Sequence, residues 1–202
     1  MKDFWNDRYT GPEFAYGTEP NEFLQSVIQH IPPGKVLCLA EGEGRNALYL
    51  AKHGYIVSAV DQSGVGLEKA RQLAKLNHVD IETIEADLAD FGIQAGVWEG
   101  IISISAHLPP SIRKKIHRQV FEGLKPGGVF ILEAYTPEQL EMSGTGGPPA
   151  HQKEMFMSLS ELYAELEGLD FLMACETERE FNEGKYHQGP GAVVQVVARK
   201  QQ

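Results

Sequence analysis

Between residues 35 and 70 the chain reads KVLCLAEGEGRNALYLAKHGYIVSAVDQSGVGLEKA, and this stretch restricts the fold more than any other. A short apolar run, KVLCLA, gives way at a glycine-containing turn to RNALYLAKHG, whose apolar residues recur at helical spacing until Gly54 stops them. YIVSAVD then reads as a second strand and GVGLEKARQLAKLN as a second helix. A strand, a helix and another strand in close succession need a crossover, which sets the strands parallel and puts helices on the faces of the sheet. The alternation continues over 34–134. VDIETIEADL reads as a third strand, WEGIISIS as a fourth and PPSIRKKIHRQVFEGL as a helix opening on prolines, while KPGGVFILEAY is a turn entering a buried fifth strand.

After Tyr135 the pattern changes. TPEQLEMSGTGGPPAHQKEMFMS is rich in Gly, Pro and Met and predicts a flexible loop over 136–158 of the kind that shapes a substrate site. LSELYAELEGL is a further helix with Ser158 or Ser160 as its N-cap, and DFLMACETEREF and GAVVQVVARK, joined by NEGKYHQGP, form a hairpin. The expected fold is therefore α/β, Rossmann-like and doubly wound, a mostly parallel seven-stranded sheet completed by a C-terminal antiparallel hairpin. All 202 residues make one domain: a leader over 1–30, a nucleotide-binding core over 34–134, the loop over 136–158, and a helix and hairpin over 159–202.

A formal net charge of −10 works against partners held by phosphate neutralisation, so neither nucleic acid nor an anionic membrane is expected. The basic run SIRKKIHR reads as a solvated helix face. No apolar run is long enough to span a bilayer, the polar, aromatic start shows no secretory signal, and a cytoplasmic location is the default expectation. Cys38 and Cys175 sit in strand-like runs and suit reduced thiols; no metal cluster is visible.

AEGEGRN lies at the end of the first strand, where open α/β sheets bind their ligands. Gly42 and Gly44 let the backbone approach a ligand, and Asp61 closes the second strand where an acid takes a ribose diol. By spacing, GEGRNA followed by Asp61 also fits a dinucleotide fingerprint. Glu41 and Glu43 argue against that, because flanking carboxylates repel a pyrophosphate unless they point away, an escape more open to Glu43 than to Glu41. S-adenosylmethionine has no phosphate there: its sulfonium and amino groups are cationic, and its one carboxylate is to be met by helix-terminal amides or Arg45. The third strand ends in EADL, so that Asp87 can accept from an adenine amino group while Leu88 offers its backbone amide. Each acid alone is as readily a turn or helix cap.

With these residues assembled, the chain resembles the class I S-adenosylmethionine-dependent methyltransferases through VLCLAEGEGRNALYLA, VSAVDQSGVGLEKA, EADL, LKPGGVFIL and the terminal hairpin. GEGRNALYLA with AVDQS looks like the tellurite-resistance group, relatives of thiol and thiopurine methyltransferases, and the leader FWNDRYTGPEFAYGTEPNEFL is similar to the segment such enzymes lay over the cofactor. The resemblance implies that Ala40, Glu41, Gly42, Gly44, Arg45 and Asn46 form the cofactor loop. Asp61, Gln62, Asp87, Leu88 and Ser105 would line the rest, with Tyr16 and Gly17 covering it. Two departures stand out. Cys38 replaces the usual Asp, and Ala40-Glu41-Gly42 replaces Gly-Cys-Gly, so Ala40 must accept a glycine-like conformation and Glu41 takes over the contact to the methionine amino group.

Methyl transfer needs alignment and exclusion of water more than acid–base help. His107, after the fourth strand, is the candidate to face the acceptor as base or donor, with Tyr135 and His187 able to reach the same mouth; the alternatives are a helix cap for His107 and a surface or packing role for the others. Met142, Met155 and Met157 either form an adaptable apolar pocket or pack under the loop. The expected activity is methylation of a small molecule, a thiol or chalcogen oxyanion. Its rivals are a non-catalytic S-adenosylmethionine-binding module and an NAD-dependent oxidoreductase.

Overall fold

The computed structural model describes residues 2–201. Its centre is a seven-stranded sheet in the order β3-β2-β1-β4-β5-β7-β6. The strands are β1 (Lys35–Leu39), β2 (Ile56–Asp61), β3 (Glu82–Glu85), β4 (Trp98–Ile104), β5 (Leu124–Tyr135), β6 (Leu169–Glu183) and β7 (His187–Lys200). The first five pair in parallel, and β7 runs antiparallel between β5 and β6. Because the chain moves outward through β2 and β3 and then returns to start β4 on the other flank of β1, a crevice opens beyond the C-terminal ends of β1 and β4.

The helices are α1 (Lys2–Tyr9), α2 (Glu22–Val27), α3 (Arg45–Lys52), α4 (Gly64–Leu76), α5 (Pro110–Gly123) and α6 (Leu159–Glu165). Helices cover both faces of the sheet, which is why β1, β4 and β5 have apolar centres rather than an alternating pattern. On one face Ile116 and Val120 of α5 and Leu162 of α6 meet Leu37, Ile101 and Phe130. On the other, Phe23 and Leu24 of α2 and Ala47 and Leu50 of α3 meet Val36, Val57 and Ile102. The local starts follow from the side chains: Ser63 accepts from the Gly66 amide at the head of α4, Pro110 opens α5, and Ser158 with Glu161 forms a capping box on α6.

Two expectations are corrected. The hairpin strands extend further than their apolar centres, to Glu183 and from His187, leaving a turn at residues 184–186 and placing His187 in a strand. Arg113 and His117 of the basic run are buried, because Glu165 on α6 accepts from both, at 2.8 Å from Arg113 Nη2 and 2.7 Å from His117 Nδ1. The segment 136–158 carries two 3-10 turns, Pro137–Glu141 and Ala150–Met155. Cys38 is buried and Cys175 half-buried, both as free thiols. No helix among the described residues is long and apolar enough to cross a membrane.

Candidate active site

The turn after β1 is built around Asp61 at the end of β2. Its Oδ2 accepts from the Gly42 amide at 2.8 Å and its Oδ1 from the Ser63 amide at 2.7 Å, so one buried carboxylate fixes both strand-end turns and keeps lone pairs for a ligand. Burial raises its pKa, and the backbone donors partly offset the rise. Ala40 does adopt the glycine-like conformation, with φ 48°, and Gly42 follows at φ 63°. A side chain at Gly42 would be strained by that φ and would set its Cβ 2.7 Å from the Tyr9 hydroxyl.

The two glutamates that distinguish this turn have different tasks. Glu41 Oε1 accepts from the Asn46 and Ala47 amides at 3.0 and 2.8 Å, occupying the anion site at the head of α3. A pyrophosphate would need those same amides, which is a direct objection to a dinucleotide. The amides expected to receive the methionine carboxylate are therefore taken, and Arg45 is paired at 2.6 Å with the buried Glu183. Burial pushes the Glu41 carboxyl up to about 7 against the pull of those two amides and of Arg45. Glu43 is buried too, but it turns away, bridging Lys69 at 2.6 Å and the Ala15 amide at 2.7 Å.

The leader closes the cleft from above. Trp5 stacks on Tyr9 at 5.7 Å between ring centroids. Arg8 Nη1 donates to the Tyr16 hydroxyl at 3.0 Å, and its guanidinium carbon lies 3.8 Å from the centroid of the Tyr186 ring on the hairpin turn. Gly17, at φ 74°, sits against the Gly184 backbone of the same turn. Asn21 pins the leader to the core: its amide donates to Asn46 Oδ1 at 2.9 Å and its side chain to Glu133 Oε1 at 2.7 Å.

These parts enclose a cleft of about 610 Å³. Of the thirteen positions the sequence assigns to the cofactor, twelve line it, namely Tyr16, Gly17, Ala40, Glu41, Gly42, Arg45, Asn46, Asp61, Gln62, Asp87, Leu88 and Ser105, and Gly44 lies behind the turn. A Cβ on Gly44 would meet the Ala70 Cβ at 2.5 Å, so this glycine serves the close approach of α3 to α4. Gln62 presents a buried Oε1 with no hydrogen-bond partner in the protein, the acceptor that an adenosine hydroxyl or amine would satisfy. Asp87 is exposed at the cleft edge and accepts from the Ala89 amide at 2.9 Å, while Leu88 is buried beside it. The donor set therefore fits S-adenosylmethionine.

The mouth differs from the sequence expectation. His107 lines the cleft, yet both ring nitrogens are engaged, with Nδ1 3.1 Å from the Ser105 carbonyl and Nε2 accepting from the Tyr135 amide at 2.9 Å. This fixes the neutral tautomer, and burial holds its pKa down to about 4. His107 is thus a clasp between the ends of β4 and β5, with no nitrogen left to act as the expected base. Tyr135 is fully buried among His107, Phe181 and His187, and its unpartnered hydroxyl does not line the cleft, so its expected place at the acceptor is also corrected. His187 does line it, with its ring 4.6 Å from that of Tyr16. Of the three methionines only Met155 reaches the cleft. Sequence reasoning missed Trp5 and Arg8 of α1, and Pro148, Pro149 and His151 of the loop. The aromatic leader and the Gly-Pro run signalled walls, but not which side chains turn inward.

The sheet order is shared with solved structures described as S-adenosylmethionine-dependent methyltransferases, among them one from Methanosarcina mazei, with a TM-score of 0.69 at 18% identity over 91% of this chain and 99% of that one. The particular match is to the methyltransferase domain family over residues 36–128, from β1 into β5. The chain is 33% identical over 136 residues to the ribosomal protein L11 methyltransferase of Caldicellulosiruptor saccharolyticus, covering 64% of this chain and 43% of that protein. It spans less than half the length of the curated relatives it matches, whose names include tRNA, ribosomal protein and sarcosine/dimethylglycine methyltransferases. Among solved structures, it superposes with a TM-score of 0.77 and 16% identity on a chain described by conversion of a disulfide bond into a thioacetal group during echinomycin biosynthesis, covering 100% of this chain and 92% of that one. TehB from Haemophilus influenzae gives a TM-score of 0.72 at 21% identity, covering 99% and 67%.

Proposed function

We propose that this chain transfers a methyl group from S-adenosylmethionine to a small molecule at a soft nucleophile, a thiolate or a chalcogen oxyanion, as in the tellurite-resistance group. When bound, the cofactor supplies an electrophilic methyl carbon: the acceptor's electron pair forms the new bond as the carbon–sulfonium bond breaks, leaving the pair on sulfur as a neutral thioether. Asp61 and Gln62 would hold the ribose and Asp87 and Leu88 the base, while Glu41 faces the cationic methionine end. Tyr9, Trp5 and Tyr16 exclude water from above.

The observation that carries the choice of nucleophile is the engagement of both His107 nitrogens. A neutral alcohol or amide gains from a base at the mouth, whereas an acceptor already anionic needs none. Met155 and the aromatic leader add a polarizable, apolar wall suited to sulfur or selenium. In this reading residues 1–30 cover the cofactor, 34–134 bind it, 136–158 shape the acceptor wall and 159–202 close the sheet. The net charge of −10 favours a small acceptor over nucleic acid.

The test is to incubate the purified chain with S-adenosylmethionine and a panel of small thiols, selenite and tellurite, and to measure S-adenosylhomocysteine. Turnover with one or more of these is expected. Saturable cofactor binding without product across the panel would replace the reading with that of a non-catalytic binding module.

A further inference from the structure

The walls of the cleft divide by charge. The inner half, at the strand ends, carries Glu41, Asp61 and Asp87, with Glu43 beside them paired to Lys69. The outer half, formed by α1, residues 147–155 and the hairpin, presents Arg8 with His151 and His187, and no carboxylate of these elements lines it. Arg45, the other arginine on the wall, is neutralised by Glu183, which also lies 3.6 Å behind His187. Arg8 has no carboxylate partner among the described residues; its guanidinium is held between Tyr186, at 3.8 Å, and the Tyr16 hydroxyl, at 3.0 Å. In a chain with a net charge of −10, this half-buried arginine lines the cleft with no carboxylate to neutralise it, an environment suited to an anion.

We infer that Arg8 is a specificity-determining residue, and that the methyl acceptor carries negatively charged oxygens, a carboxylate or a comparable oxyanion, which this guanidinium engages. The inference rests on the methyl-transfer reading and narrows its substrate class. Guanidinium geometry favours it, since the planar fork offers paired donors to a carboxylate and the flanking aromatic rings pre-organise it. The charges also orient the pair of ligands: the cationic cofactor is drawn to the acidic strand ends and the anionic acceptor to Arg8, facing each other across the site of transfer.

The experiment is isothermal titration of the protein saturated with S-adenosylhomocysteine, using two matched pairs of thiols: 4-mercaptobenzoate against thiophenol, and 3-mercaptopropionate against 1-propanethiol. In at least one pair the carboxylate should bind tenfold or more tightly than its neutral partner. R8Q should abolish that preference and R8K should retain most of it. S-adenosylhomocysteine affinity, measured in each variant beforehand, reports whether the cleft is intact. Equal or better binding of the neutral thiol in both pairs, or a preference that survives in R8Q, overturns the role of Arg8 while leaving methyl transfer standing. Failure of the wild-type protein to bind S-adenosylhomocysteine removes the reading beneath it.

Discussion

Glu41 gives the cofactor turn its character through two competing influences. Burial raises its carboxyl to about 7, while the Asn46 and Ala47 amides stabilise the charged form. A cationic ligand end favours the ionised carboxylate, so binding draws on a proton equilibrium inside the physiological range. Between pH 8 and pH 6 the group gains its proton and the charge disappears, so affinity for S-adenosylmethionine should fall severalfold over that interval. Titration of Glu41→Gln across the same range should show weaker and pH-independent binding. Gly42→Ala should weaken cofactor binding tenfold or more, because φ 63° and the nearby Tyr9 hydroxyl both oppose a side chain. His107 predicts an effect on folding instead. Its folded pKa of about 4 lies below the ordinary 6.5, so between these values the unfolded chain binds the extra proton and the folded one does not. Its contribution is fully present above pH 6.5 and is lost as pH falls toward 4. Chemical denaturation of wild type and His107→Ala over pH 4–7 should show a smaller acid dependence in the variant.

At the scale of elements, the core strands were legible because burial on both faces writes them as apolar runs, and the turn after β1 because glycine and acid sit where a strand must end. What the sequence hid lies in pairings across long separations. Arg113 reads as one of several exposed cations, and only the arrival of α6 turns it into the partner of Glu165, whose pKa falls to about 2 as His117 and Arg113 outweigh its burial. The hairpin ends were misread for a related reason: polar residues at 182–190 look like a loop, yet all but the turn at 184–186 continue as strand, and that turn meets the leader, where the Lys185 amide donates to the Ala15 carbonyl at 2.9 Å. Truncating the staple should be costly. Arg113→Ala leaves Glu165 buried beside a weaker partner and should destabilise the fold by about 3–5 kcal/mol. Lys114→Ala, one position along on the exposed face, should change it by less than about 0.5 kcal/mol; denaturant titration of the two variants measures the contrast.

For the molecule as a whole, the positions proposed for the cofactor were legible as a group that lines one cleft, and most of the wall proposed for the acceptor was not. The cofactor positions follow one another at strand ends, in an order set by the topology, so a local pattern suffices to find them. The acceptor wall is assembled from α1, the 147–155 segment and a hairpin that begins more than a hundred residues after β1, and no local pattern records which of their side chains converge. His107 shows the same limit from within: it stands at the expected place, but its role depends on the Tyr135 amide of the neighbouring strand. The central claim is that an acidic glycine turn, with the α3 amides already occupied by Glu41, selects a sulfonium nucleoside over a dinucleotide. The most direct test is side-by-side isothermal titration with S-adenosylmethionine, S-adenosylhomocysteine and NAD. Saturable binding of the first two and none of NAD is the predicted result; saturable binding of NAD with neither sulfur nucleoside would contradict it.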